Sequence, residues 1–177
     1  MVELRQRDAI VARLLEFIIL TVARSGEARF TKWQEINFEN KIWNISAERM
    51  KMSKDHTVPL SKGCLNLLQN MKKYRRGEYI FEHPIRQEPF SINATRALLQ
   101  RMRDERLTTH GFRSSFRDWA GDRTYHQREV IEAALAHQIK DKAEAAYRRS
   151  SAIEKRRSLM QDWDDYCSGR EVKVVVF

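Results

Sequence analysis

At 177 residues the chain is long enough to bury one sizeable core and too short for two ordinary domains. A hydrophobic content of 42% with 10% aromatics excludes a disordered chain, and 33 Lys and Arg against 24 Asp and Glu, a net charge of +9, favour a polyanionic partner, nucleic acid first. Two distant cysteines, Cys64 and Cys167, exclude a disulfide framework and a cysteine-built zinc site and point to a reducing cytosol.

In chain order, residues 8–23 predict a buried helix: Ile10, Leu14, Phe17, Ile18 and Val22 recur near the 3.6-residue period. Arg13 and Glu16 interrupt this run, which is also too short to span a membrane, and no secretory signal opens the chain. Ser25 is placed to cap a short second helix. "EINFENKIWNIS" then alternates around Glu39-Asn40-Lys41 and predicts a β-hairpin. "AERMKMSKDH" is a polar loop or a bent strand, and "TVPL" is a third strand. Ser61 starts a helix over Cys64, Leu67, Leu68 and Met71, with Gly77 as its stop. "EYIFEHPIRQEPF" is extended chain with two prolines. Ser91 caps a helix through Leu98, Leu99 and Met102. Thr109 caps the next, which carries His110, Phe112, Arg113, Phe116 and Trp119. Two further helices, "REVIEAALAH" and "KDKAEAAY", precede a long one over roughly 151–166, and "VKVVVF" ends the chain as a β-like tail. The fold class expected is α+β, mainly α-helical, with one small antiparallel sheet.

Tyr147 stands among alanines and directly before Arg148 and Arg149, an unusual setting for a core tyrosine. A phenol ionises near pH ~10, so a nucleophilic tyrosine needs positive potential or a base nearby. If its target is a phosphodiester, arginine forks suit the two free oxygens, and a lysine or histidine suits the leaving alkoxide. The chain supplies Arg24 at the end of the first helix, Lys51 on the loop into the third strand, and His110 and Arg113 three apart, so that one helical turn is expected to bring them to one face. His137 and Tyr147 follow. Taken singly, each residue has an ordinary structural reading; the set in this order does not.

Arg24 in "RSGE", Lys51 eight residues before the proline of "VPL", "HGFR", "LAH" and the late tyrosine together resemble the tyrosine recombinases. "AERMKM", "THGFRSSFRDWA" and "AALAH" followed by "EAAYRR" are similar to the catalytic domain of phage and genomic-island integrases, over about residues 10–167. The resemblance implies that Tyr147 attacks the scissile phosphate to form a 3′-phosphotyrosyl link. It also implies that Arg24 and Arg113 clamp the non-bridging oxygens and that Lys51 protonates the leaving oxygen. His110 would assist proton transfer, and His137 would donate a hydrogen bond to the phosphate. Glu27, three residues after Arg24, matches an acidic family position and would orient the active-site side chains. Because the covalent link conserves the bond energy, neither a metal nor any other cofactor is implied. Phe30 and Thr31 depart from the Gly-Leu pair more usual in this subgroup, a packing change that touches none of these residues.

The partners implied are double-stranded DNA with attachment sites and further copies of the chain. These would form a homotetramer in the synaptic complex, with a monomer or dimer when free. No membrane partner is implied, and the location is the cytoplasm of a bacterial or phage-infected cell. Family integrases place arm-binding and core-binding domains ahead of the catalytic one. The expectation here is one catalytic domain over 1–177 without those two, ending in a tail over 168–177. That tail is expected to add an edge strand to the small sheet, in cis or in trans. The stripe Ile153, Leu159, Met160, Trp163 and Tyr166 is expected to bury either on its own domain or on a neighbouring protomer. The rival readings are a type IB topoisomerase, which shares the chemistry, and a DNA-binding module without catalysis. A metal-dependent nuclease ranks below both, since the chain has no HExxH.

Overall fold

The computed structural model describes residues 1–102, 107–137 and 149–170. Among these the architecture is mainly helical with one three-stranded antiparallel sheet, as the sequence predicts. Its centre is helix α2 (Ile10–Thr21), preceded by the short α1 (Val2–Gln6). Leu14, Phe17, Ile18 and Leu20 face one half of the core, built with the sheet and α4 (Lys62–Met71). Ala12, Leu15 and Ile19 face the other half, built with α5 (Ala94–Arg101), α6 (Gly111–Arg123), α7 (Arg128–Ala134) and the last helix α8 (Arg149–Cys167). An apolar helix with Ala12, Leu14, Leu15, Phe17, Ile18 and Leu20 each at most 1% exposed has two faces to bury, and it joins both core halves. Its one buried acid, Glu16, accepts from Arg5 of α1 at 2.6 Å and Arg13 at 2.7 Å, which neutralises the charge that burial would penalise.

A short helix α3 (Ser25–Arg29) follows α2, and then the strands β1 (Ile36–Asn37), β2 (Ile42–Ile45) and β3 (His56–Pro59) pair in that order. Trp43 lies opposite Ile36 and Val58, so alternation turns Trp43 and Ile45 into the core and leaves Asn44 outside.

Several predicted boundaries shift. Ser25 is the first residue of α3 rather than its cap; Arg24 holds the cap position, and its backbone N–H donates to Glu27 at 2.8 Å. Ser61 caps α4 as predicted, its Oγ accepting from Cys64 at 3.2 Å, but α4 stops at Met71 and a single 3-10 turn, Lys72–Tyr74, intervenes before Gly77. Asn93, not Ser91, precedes α5. The hydroxyl that serves the start of α6 is that of Thr108, which accepts from Gly111 at 2.9 Å, because Thr109 is hydrogen-bonded to Thr95.

Helix α8 packs on its own domain. Leu159, Met160 and Trp163 are buried, and the Trp163 indole donates to the Ile19 carbonyl at 2.8 Å. The helix also closes the start of α4: Lys62 N–H donates to Gln161 Oε1 at 3.0 Å and Gly63 N–H to Asp164 Oδ2 at 2.7 Å. A Cβ added at Gly63 would lie 2.5 Å from Asp164 Oδ1, and the Asp164 carboxylate is fully buried, with Arg170 at 3.5 Å. Gly63→Ala is therefore expected to destabilise the fold by about 1–3 kcal/mol, read as a lowered midpoint in urea. The predicted helix "KDKAEAAY" and the predicted strand in "VKVVVF" lie outside the described residues.

Candidate active site

Arg113 is the anchor. The first turns of α6 carry it into the interior, where it is 6% exposed. One guanidinium nitrogen donates to the Val22 carbonyl and the other to the Leu135 carbonyl, the latter at 2.7 Å. These two carbonyls close α2 and α7. Both helices end through a non-glycine residue in the left-handed region, Val22 with φ 50° and Ala136 with φ 51°. A β-branched residue there is strained, and strain of this kind is retained where the surrounding structure over-determines it. In α7 the reversal carries His137 N–H back to the Glu132 carbonyl at 3.0 Å, the wrap that commonly ends a helix.

Arg24 is near enough to Arg113 for the two charges to repel, while the Glu27 carboxylate acts in the opposite sense. Burial first, then Arg24, lowers the Arg113 guanidinium to about 10, which still leaves it charged at neutral pH. Glu27 is buried and accepts from Arg24 Nη1 at 2.7 Å as well as from its backbone. One carboxylate thus aims Arg24 and offsets part of the repulsion. The result is a cluster of two guanidiniums and one carboxylate, with one positive charge in excess among the three.

The other predicted residues are placed as follows. Lys51 is exposed on the turn between β2 and β3. Two residues earlier, Arg49 pairs with Glu35 and donates to the Glu27 carbonyl, fastening the base of that turn to α3. His110 is exposed at the start of α6, so the HxxR spacing puts one member at the surface and the other inside. His137 is half-exposed; its Nδ1 shares a 2.6 Å hydrogen bond with Glu132 Oε2, and Arg117 Nε donates to Glu132 Oε1 at 2.8 Å. Burial would raise the Glu132 carboxyl, but the hydrogen bonds from His137 and Arg117 outweigh it and hold the carboxyl below its ordinary value. Arg24, Glu27 and Arg113 therefore form one cluster, and His137 adjoins it through the end of α7. Lys51 and His110 stand at the surface, with no side-chain hydrogen bond to another described residue. Tyr147 lies outside the described residues.

Sequence reasoning missed three neighbours. His56 at the start of β3 has Arg156, Arg24 and Arg113 within electrostatic range, and burial with those charges lowers its imidazole to about 4. Arg156 of α8 donates to the Thr57 carbonyl at 2.7 Å. Glu132 orients His137. Of these, only Glu132 leaves a trace in the sequence, an acid five residues before the histidine at the end of an amphipathic helix. Among the described residues no group of three His, Cys, Asp or Glu side chains is placed to hold a metal ion, and no helix is long and apolar enough to cross a membrane.

The family model of the phage integrase family matches residues 3–153. The chain is 41% identical over 150 residues to the prophage integrase IntA of Escherichia coli, covering 83% of this chain and 36% of that protein. It is 31% identical over 180 residues to the integrase of Enterobacteria phage P4, covering 90% of this chain and 41% of that protein. The chain thus spans about two fifths of the length of these relatives. The crystal structure of XerA recombinase matches with a TM-score of 0.53 at 18% identity, over 82% of this chain and 62% of that one, a likeness of fold. With a family model covering most of its length and a relative of this identity, the chain belongs to the phage integrase family of tyrosine recombinases.

Proposed function

We propose that this chain cuts and rejoins double-stranded DNA at attachment sites without a metal ion, as the catalytic domain of a site-specific integrase. The observation that carries this reading is the pairing of buried Arg113 with Arg24. Glu27 aims Arg24, two helix-end carbonyls hold Arg113, and the two charges act on each other electrostatically, an arrangement suited to a phosphodiester. In the proposed step the Tyr147 oxygen attacks phosphorus and the bond to the 5′ oxygen breaks. The phenolic proton passes to a base, for which His110 is the candidate, and Lys51 delivers a proton to the departing 5′ oxygen. Arg24, Arg113 and His137 hold the non-bridging oxygens as charge builds on them. One phosphate ester replaces another, so the reverse attack by a 5′ hydroxyl reseals DNA without an energy source. Assembly into a homotetramer on paired sites, action in the cytoplasm and exchange of strands between partners belong to the same proposal, supported by the naming of its relatives as integrases.

Because fixed cations take the place of a divalent ion, covalent complex formation on a nicked suicide duplex is expected to proceed unchanged in EDTA. A strict requirement for magnesium in the cleavage step would overturn the proposal in favour of a nuclease.

A further inference from the structure

We propose that Glu132, itself held by Arg117, is a positioning residue that acts through His137: it keeps a proton on Nδ1, so that the ring meets the scissile phosphate with Nε2 and as an imidazolium. The inference rests on the recombinase reading above and adds to it two residues outside the predicted set.

Arg113 and Arg117 stand four apart on α6, neighbours along one side of that helix, and both reach the end of α7. Arg113 donates to the Leu135 carbonyl at 2.7 Å, and Arg117 Nε donates to Glu132 Oε1 at 2.8 Å. The second carboxylate oxygen, Oε2, lies 2.6 Å from His137 Nδ1. Each oxygen of Glu132 thus has its own partner, which fixes the plane of the carboxylate. The Glu132 side chain is 18% exposed, so these bonds are partly shielded from water. The backbone repeats the tie: His137 N–H donates to the Glu132 carbonyl at 3.0 Å, across the left-handed step at Ala136. His137 is therefore bound to one residue by main chain and by ring, and turning the ring over would break the 2.6 Å bond.

The carboxylate also decides which nitrogen carries hydrogen. An ionised carboxylate can only accept, and the bonds from His137 and Arg117 hold Glu132 in that form against the opposing effect of burial. Nδ1 is then the protonated nitrogen, because the partner of one ring nitrogen sets the tautomer. A neutral ring of this kind offers only a lone pair at Nε2, which a phosphate oxygen repels. To donate to a non-bridging oxygen the ring must carry a second proton, on Nε2. Glu132 is the counter-ion of that state, and the phosphate meets a third cation beside Arg24 and Arg113. Arg117 acts one step further back, by holding the carboxylate in place.

Two measurements on the full chain separate this role from a merely structural one. The first is nitrogen-15 NMR of the His137 ring in the free protein, in mildly alkaline buffer where free histidine is neutral. The parent is expected to hold a proton on Nδ1. Glu132→Ala is expected to move it to Nε2, the nitrogen that carries it in free histidine. The second is the first-order rate of covalent complex formation on a nicked suicide duplex at saturating concentration, with melting temperature alongside. Glu132→Ala should slow this step by about 10–100-fold. Glu132→Gln, nearly isosteric but without the charge, should also be slower than the parent. In a His137→Ala background, Glu132→Ala should cost less than about threefold, because its effect passes through the missing ring. A parental ring without a proton on Nδ1 overturns the inference. So does either Glu132 variant reacting at the parental rate, or a full cost of Glu132→Ala in the absence of His137. If the parental chain forms no covalent complex, it is the recombinase reading that fails, and the NMR measurement still decides whether Glu132 sets the protonated nitrogen of His137.

Discussion

Tyr147→Phe is expected to abolish the covalent protein–DNA complex, lowering its rate of formation by at least about 10³-fold, while DNA affinity stays unchanged. Phenylalanine keeps the ring and removes only the oxygen that would attack phosphorus. Affinity should be insensitive because the proposed DNA contact is carried by cationic side chains, of which the chain has 33 Lys and Arg. The placement of Tyr147 ten residues after His137 and directly before Arg148 and Arg149 motivates the assignment. An electrophoretic shift assay beside the suicide-substrate assay separates the two quantities. A variant that loses both, or neither, contradicts the assignment.

Arg113→Lys is expected to reduce cleavage by about 10²–10³-fold although charge is conserved. The guanidinium reaches the Val22 and Leu135 carbonyls at once and still has donors left for a phosphate. A lysine ammonium is a single point that cannot span two carbonyls on different helices. The lost donors should also destabilise the fold by about 1–3 kcal/mol, because a buried carbonyl is left without a partner. Arg24→Lys is the useful contrast. Arg24 is partly exposed and bonded to Glu27 rather than to the ends of two helices, so its replacement should cost rate with little loss of stability. Urea melts and single-turnover rates on both variants check this. Equal stability loss in the two would contradict the anchoring role of Arg113.

How much of this was legible in the sequence depends on the kind of signal each residue leaves. The α2 period was readable because nearly every apolar residue there is buried, and the hairpin because Trp43 and Ile45 alternate inward with Asn44 outward. Short α1 escaped notice since five residues carry too little periodicity. The HxxR spacing led to the expectation that His110 and Arg113 share one helical face, but the fold buries Arg113 and leaves His110 exposed at the helix start. That difference comes from the convergence of α2 and α7 on Arg113, a long-range event. Val22 and Ala136 gave no warning of left-handed backbone, because glycine is the residue that usually marks it and neither position has one. His56 was hidden for a related reason: in "KDHTVPL" it reads as the polar margin of a strand, and the burial and the arginine charges that lower its imidazole come from elements distant in the chain. Of the expected apolar stripe, Leu159, Met160 and Trp163 bury on their own domain, whereas Tyr166 is 47% exposed.

The central claim is that a tyrosine of this chain becomes covalently joined to a DNA 3′ end in the absence of metal. The most direct measurement is to trap the complex on a nicked duplex in EDTA, digest protein and DNA, and identify the modified peptide by mass spectrometry. The expected product is a nucleotide joined through its 3′ phosphate to Tyr147. A link at Tyr125 or Tyr166, a 5′ phosphate linkage, or no covalent complex without magnesium would contradict it.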